Sequence, residues 1–335
     1  MDKSGVLKIL YVLDILKRTD ETHPVNSGEI IKKLETEGLK AERKSIGNYI
    51  RILRDEMHYS IYLSENRNLG WYMTDQEFED YELKMLVDAV ASAKYLSVRD
   101  SRKLIDKLLK MATVSGQQII KSTMFMEESF KLEDKKFTIK FDTVMRAIAD
   151  RKQIRFFYAD IGDDGRKQMK RDGARYQISP YYLGVWGDEY FVLANTAPYD
   201  NTGFYRVEMM EDVEIAEETV RPFSEIEGLK DIGRHGRTLG DYIKESIHLW
   251  NGDVKDIKIS GSNHLRREVM KKFGNRLMFQ NQGDGRFAVY VRVSDREGFY
   301  QWISRFGSSM KIESPEECVE NHKKFLQKAI DQYVI

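Results

Sequence analysis

Apolar residues in the first quarter of the chain recur at helical spacing and then switch to a strand rhythm. Val6, Ile9, Leu10, Leu13 and Leu16 form one stripe, and Ile30, Ile31 and Leu34 form a second behind an expected N-cap at Ser27. After a turn through Gly38 and Leu39, a third helix is expected from Glu42, burying Ile46, Ile50, Leu53 and Met57. The β-rich runs 59–65 and 71–73 flank the polar tip Asn66, Arg67 and Asn68, so they pair as a hairpin. Three helices closed by a hairpin have the rhythm of a winged helix-turn-helix, expected over residues 1–75.

Helical patterning returns over 76–135, with Leu83, Leu86, Val87 and Val90 in one stretch and Leu104, Ile105, Leu108 and Leu109 in the next; a connecting helical pair is expected. Over 136–222 strands dominate. Runs 153–160, 177–186 and 189–195 alternate or stay apolar, and Gly187-Asp188 is a two-residue hairpin turn, which predicts a twisted antiparallel sheet. A charged stretch over 227–237 leads to a last unit over 253–335. There the expected order is strand, helix, two strands, helix, strand and closing helix, a ferredoxin-like βαββαβ arrangement. The fold class is α+β.

Composition narrows the function. Lys plus Arg equals Asp plus Glu at 54 each, so any basic footprint must be local. The single cysteine, Cys318, excludes an internal disulfide and a cysteine-rich metal site, and the six histidines lack metal-ligand spacing, so no metal or cofactor is expected. No apolar signal core opens the chain and no uncharged run reaches the roughly 18 residues of a membrane helix, so a cytoplasmic protein is expected. With no Gly-x-Ser-x-Gly, Walker or Gly-x-Gly-x-x-Gly segment, the chain reads as a non-enzyme.

Local charge marks two places. With Ile46, Ile50 and Leu53 turned inward, Lys44, Asn48 and Arg51 share the opposite side of the third helix, beside Arg43 and Ser45 at its start. Arg and Asn can read guanine and adenine edges, and Lys, Ser and the helix N-terminus suit phosphates. The same residues also fit a solvated face; the hairpin with Arg67 at its tip favours DNA. Gly47 inside the helix suggests close approach of a partner. The second place is 151–175, where Arg151, Lys152, Arg155, Arg166, Lys167, Lys170, Arg171 and Arg175 face only four aspartates. Tyr158 and Tyr190 are either sheet core or stacking faces among those charges. Arg206, in an apolar strand with no adjacent acid, is expected to need an external anion. A further basic run, Lys255 to Arg276, fits a groove extension or a dimer contact, and Trp302 reads as core.

These residues resemble the WYL-domain transcriptional regulators of bacteria. The family's recognition helix, Arg-Thr-Ile-x-Arg-Asp-Ile, is matched by Lys44-Ser45-Ile46-Gly47-Asn48-Tyr49-Ile50, and its wing ending Gly-Tyr by Gly70-Trp71-Tyr72. Asn48-Tyr49 replaces the Arg-Asp pair, so the operator sequence does not transfer. Ile154-Arg155-Phe156-Phe157-Tyr158 and Ile178-Ser179-Pro180-Tyr181-Tyr182-Leu183 match two strand motifs, and Glu189-Tyr190-Phe191 stands for Trp-Tyr-Leu. Tyr205-Arg206-Val207-Glu208-Met209-Met210 stands for Phe-Arg-Leu-Asp-Arg-Ile, keeping the first arginine and losing the second. Asp284-Gly285, Trp302, Phe306-Gly307 and Ser314-Pro315 resemble the family's C-terminal extension.

The resemblance implies an Sm-like barrel that binds a single-stranded nucleic acid or nucleotide-like anion. The DNA-contacting set becomes Arg43, Lys44, Ser45, Asn48, Tyr49, Arg51 and Arg67, and the effector set Arg155, Tyr158, Arg175, Tyr190 and Arg206. One winged helix covers one half-site, so a homodimer on a double-stranded operator is expected. The alternative is an RNA- or single-strand-binding accessory protein of a defence or CRISPR system. The winged helix argues against it, because RNA recognition rarely uses a major-groove helix.

Overall fold

Helix α1 (Lys3–Lys17) opens the computed structural model, which describes residues 3–132, 134–163, 165–245 and 254–333. The chain divides into two units, Met1–Lys135 and Lys136–Ile335.

In the first unit, α1 buries Ile9, Val12, Leu13, Ile15 and Leu16, while Val6 and Leu10 of the expected stripe face outward. Helix α2 (Ser27–Thr36) starts one residue earlier than Ser27 would cap it. Asn26 is the N-cap: its Oδ1 accepts from the Gly28 and Glu29 amides at 2.9 and 3.1 Å, and Glu29 accepts from the Asn26 amide, closing a capping box. Helix α3 (Arg43–Arg51) buries Ile46 and Ile50 and runs into a π turn, Ile52–Glu56. The turn ends the helical register, so Met57 is exposed instead of buried. Strands β1 (Ile61–Leu63) and β2 (Trp71–Met73) then pair antiparallel.

A third segment joins this hairpin: Val25 and Trp71 exchange two backbone hydrogen bonds of 2.8 Å. Gly70 permits it. Its φ is +96°, and a Cβ there would lie 2.0 Å from the Val25 carbonyl oxygen.

Helices α4 (Asp80–Ser92), α5 (Val98–Leu109) and α6 (Val114–Thr123) follow, so the expected pair is a triplet. Their core is Leu83, Val87, Ile105, Leu109 and Ile120. Leu86 and Leu104 are exposed. Helix α6 eluded the apolar pattern because it packs through a small residue: a Cβ on Gly116 would meet the Asp80 carboxylate at 2.0 Å. Lys131 turns inward, and its ammonium donates to Val90 O (3.0 Å), Ala93 O (2.8 Å) and Ser101 Oγ (3.0 Å), satisfying the carbonyl end of α4.

The end of α1 knots the two halves of this unit together. Thr19 Oγ1 accepts the Met73 amide at 3.1 Å, and Gln76 Nε2 donates to Thr19 O and Met73 O at 3.1 and 2.7 Å. The Val114 amide donates to Arg18 O at 3.0 Å, and Ser115 Oγ to Asp20 Oδ2 at 2.6 Å. Burial disfavours the Asp20 charge, but the bonds from Ser115 and Thr22 outweigh it and hold that carboxyl well below the usual carboxylate range.

The second unit begins with α7 (Phe137–Ala149), a helix the apolar pattern hid because Lys140 sits in its buried stripe, paired with Glu211 at 3.0 Å. Strands β3 (Lys152–Ile161), β4 (Lys167–Met169), β5 (Tyr176–Trp186), β6 (Glu189–Asn195), β7 (Thr202–Arg206) and β8 (Met210–Thr219) form one curled sheet. Its order is β4-β3-β5-β6-β7, with β8 pairing back onto β3. A 3-10 turn, Val207–Met209, carries the chain from β7 to β8, so the expected barrel is a strongly curled sheet bridged by that turn. Ile154, Phe156, Ile178, Val192, Ala194, Val207 and Met210 are buried within it.

After α8 (Leu239–Glu245) come β9 (Val254–Ser262), α9 (Arg266–Phe273), β10 (Gln280–Gly283), β11 (Arg286–Ser294), α10 (Glu297–Ser304), β12 (Met310–Ser314) and α11 (Glu316–Asp331). The sheet order β10-β11-β9-β12, antiparallel throughout, is the ferredoxin-like arrangement. Its core includes Ile257, Val269, Phe287, Phe299 and Trp302. The first of the two middle strands forms only at Gln280, because Gly274 (φ +96°) ends α9 and leaves an irregular stretch with Met278 exposed. The expected start of this domain, residue 253, lies outside the described residues. Among the described residues, no helix is long and apolar enough to cross a membrane.

Candidate nucleic-acid interface

Helix α3 divides its residues by periodicity. Ile46 and Ile50 anchor one side in the α1–α3 core, which leaves Arg43, Lys44, Gly47, Asn48 and Arg51 exposed on the other. Space beside Gly47 is open. Arg51 Nη2 donates to Asn48 Oδ1 at 3.3 Å and lies 3.6 Å from Glu56, so both polar groups stand on one ridge. No side chain caps the start of α3, which leaves its first amides for an anion. Ser45 is half-buried there. Tyr49 corrects the expected set: three residues after Ile46 and four before Leu53, its ring packs against the α1–α3 core. Arg67 is exposed at the hairpin tip, where the Asn66 side chain accepts the Asn68 amide.

In the second unit the expected effector residues do not gather into one site: only Tyr158 and Arg206 meet. Successive residues of β3 point to opposite faces. Arg155 bonds Glu218 (2.7 Å) and Gln177 (2.9 Å), and Arg175 pairs with Glu214 and lies 4.9 Å over Phe157. On the other face Tyr158 joins Phe156, Tyr176 and Tyr205 in an aromatic cluster with centroids 5.5–6.2 Å apart. Burial pushes the Tyr158 phenol up, and its oxygen accepts the Arg206 amide at 3.1 Å. Tyr190 packs edge-on against Phe141 at 4.8 Å.

Arg206 has an acidic partner after all. Its Nε lies 3.0 Å from Glu189 Oε2, because Phe191 sits opposite Arg206 in the β6–β7 ladder and Glu189 projects from the same face two residues away. A contact across strands leaves no trace in the sequence around Arg206. Burial and the neighbouring Glu189 raise the Glu208 carboxyl beside this pair.

Other residues combine cations with aromatic faces. Arg171 lies 4.2 Å over the Tyr176 ring, and Lys170 lies 6.0 Å from that of Tyr158. A groove of about 870 Å³ is lined by Lys271, Lys272 and Arg276 at the end of α9 and by Tyr290 and Arg292 on β11. Lys272 lies 4.3 Å over the Trp186 ring at the β5–β6 turn, and burial, with Arg305 nearby, lowers its ammonium to about 8. Arg292 is held by Glu245 (3.1 Å) and Asp256 (3.6 Å); Lys272 and Arg276 have no acidic partner among the described residues. Both belong to basic runs visible in the sequence, but Trp186 carried no such signal. No group of three or more His, Cys, Asp or Glu able to hold a metal occurs among the described residues.

Comparison with known proteins gives two domain matches. The WYL domain model matches residues 140–215 and the WCX domain model matches residues 256–330. No curated protein matches the chain. Among solved structures, the proteasome accessory factor B/C (PafBC) of Arthrobacter aurescens is similar at 14% identity and a TM-score of 0.28. That likeness covers 94% of this chain, which spans only 49% of the PafBC chain. A structure described as a CRISPR Cas-related protein is similar at 12% identity and a TM-score of 0.35, covering 77% of this chain and 75% of that one.

Proposed function

From a chain that belongs to the WYL-domain family, with a WCX domain after the WYL domain, we propose a DNA-binding transcription regulator that responds to a single-stranded nucleic acid or nucleotide-like effector. One observation carries the reading: α3 presents Lys44, Asn48 and Arg51 on a face opposite its core anchors, directly ahead of a hairpin tipped by Arg67. An exposed helix of this size fits the major groove, its open N-terminus fits phosphate, and the hairpin reaches the backbone or minor groove beside it. The effector side rests on the α9 groove, where cations without acidic partners stand beside Trp186 and Tyr290. In this reading the protein binds and does not turn over a substrate. It acts as a homodimer in the cytoplasm, since one α3 covers only a half-site.

The test is a genomic-DNA pull-down followed by anisotropy with the enriched duplex. Lys44→Ala and Arg51→Ala should each weaken duplex binding by about 1–3 kcal/mol if they touch bases, or flatten the salt slope if they touch phosphate. Short single strands should bind wild type and should bind Lys272→Ala/Arg276→Ala more weakly, with duplex affinity kept. Wild-type duplex binding by both α3 variants at matched salt would overturn the DNA assignment, and unchanged single-strand binding by the groove variant would overturn the effector assignment.

A further inference from the structure

A cavity of about 340 Å³ lies at the carboxyl end of α7, sharing no lining residue with the α9 groove, and we propose that it binds a small aromatic monocarboxylate. Its size matches a ligand-binding cavity for a compact organic molecule. Two features make it a preformed site. Pro180 interrupts the β5–β6 register and turns Tyr181 toward Phe223, which it meets edge-on at 5.2 Å. The segment after β8 is then fixed from several directions. Tyr181 Oη donates to Arg221 O (3.0 Å), the Arg221 amide donates to Ser179 Oγ (3.0 Å), and the Arg221 guanidinium donates to Asn195 Oδ1 (3.0 Å) and Tyr199 O (2.7 Å). Walls built from proline and half-buried aromatic rings suit a flat apolar body and need little reordering on binding.

The charge pattern selects the polar end of the ligand. Arg221 is already neutralised by Asp200 (3.2 Å) and Glu225 (3.4 Å). Arg151 lines the same cavity, is exposed, and has no side-chain partner among the described residues. It occupies the position after the α7 C-cap with φ +52°, a conformation normally given to glycine, while its carbonyl accepts the Val220 amide at 3.0 Å. An arginine held there places one available guanidinium at the mouth. With Arg221 occupied by its two carboxylates, Arg151 is the one cation left for a ligand, which accommodates a single negative charge and disfavours a polyphosphate or a nucleic-acid strand. The site is therefore independent of the effector groove.

Fluorine NMR on the full chain, with a fluorinated naphthoate and its matched carboxamide as probes, tests this. The acid should bind wild type about tenfold or more tighter than the amide, as a charge-assisted bidentate contact requires. Arg151→Gly, which suits the left-handed backbone and so keeps the fold, should erase that preference while the amide still binds; Phe223→Ala should weaken both. A short oligothymidylate should not displace the acid. Equal binding of acid and amide to wild type, an undiminished preference in Arg151→Gly, displacement by the oligonucleotide, or no binding of either probe at millimolar concentration would each overturn the proposal.

Discussion

Gly70→Ala should detach the β1–β2 hairpin from the Val25 segment. The added Cβ would sit 2.0 Å from Val25 O, 2.4 Å from Val25 C and 2.5 Å from Asn26 Cα, all backbone atoms that no rotamer change can move. The chain must therefore separate β2 from Val25, losing two hydrogen bonds of 2.8 Å, each contributing about 1 kcal/mol net. The left-handed backbone adds roughly 1 kcal/mol for any residue with a side chain. The sum of about 3 kcal/mol corresponds to a rise of about two decades in the local opening constant. Hydrogen exchange by mass spectrometry on the full chain reads it directly, in peptides spanning 19–30 and 60–75. Protection of the Val25 and Trp71 amides should collapse while the α10 and β11 amides stay as in wild type. Protection within threefold of wild type at Val25 and Trp71 would refute the argument, because the chain would then have a way around the clash.

Lys131→Met should destabilise the helix triplet by about 2 kcal/mol, since Val90 O, Ala93 O and Ser101 Oγ each lose a buried donor; an unchanged denaturant midpoint for the first unit would show that water replaces the ammonium. Lys272 predicts a pH effect of defined sign. Its folded pKa of about 8 lies below its ordinary value of 10.5, so the unfolded chain binds more protons between those limits and wild-type stability gains with rising pH there. The wild-type minus Lys272→Met difference in Tm should rise from pH 8 to 10.5 and stay flat below pH 7, and a difference that falls over the upper range would reverse the assignment. Light scattering at micromolar protein, with and without duplex, should give a dimer mass in at least the duplex-bound sample; a monomer under both conditions would remove the half-site argument.

Local signals in the sequence were sufficient for the three N-terminal helices, the hairpin and the ferredoxin-like order, because each rests on periodicity and turn residues within a few positions. Ile46 and Ile50 place Lys44, Asn48 and Arg51 on the far side of α3 without any knowledge of the rest of the chain. Helices α6 and α7 were hidden for opposite reasons. One packs through Gly116 where an apolar side chain was awaited, and the other buries Lys140 in its stripe because Glu211 comes from a distant strand to meet it. The effector residues suffered most. Arg155, Arg175 and Arg206 each meet a carboxylate brought by another strand, and only the sheet register reveals Glu218, Glu214 and Glu189 as those partners. Tyr49 was assigned by its place in a motif, yet the side it takes on the helix follows from its spacing of three from Ile46 and four from Leu53.

The knot at Arg18–Asp20 decides where such a protein can be cut and rejoined. A chimera spliced at residue 75 would carry away Thr19 and Met73 but abandon Gln76, Val114 and Ser115, leaving Asp20 Oδ2 without Ser115 and the Arg18 carbonyl without Val114, while Asp20 Oδ1 keeps its bonds from Thr22 and His23. A splice placed beyond α6 keeps every one of those bonds. The unit of exchange is the winged helix together with its three supporting helices, and under the proposed function duplex preference should transfer with that longer cassette only.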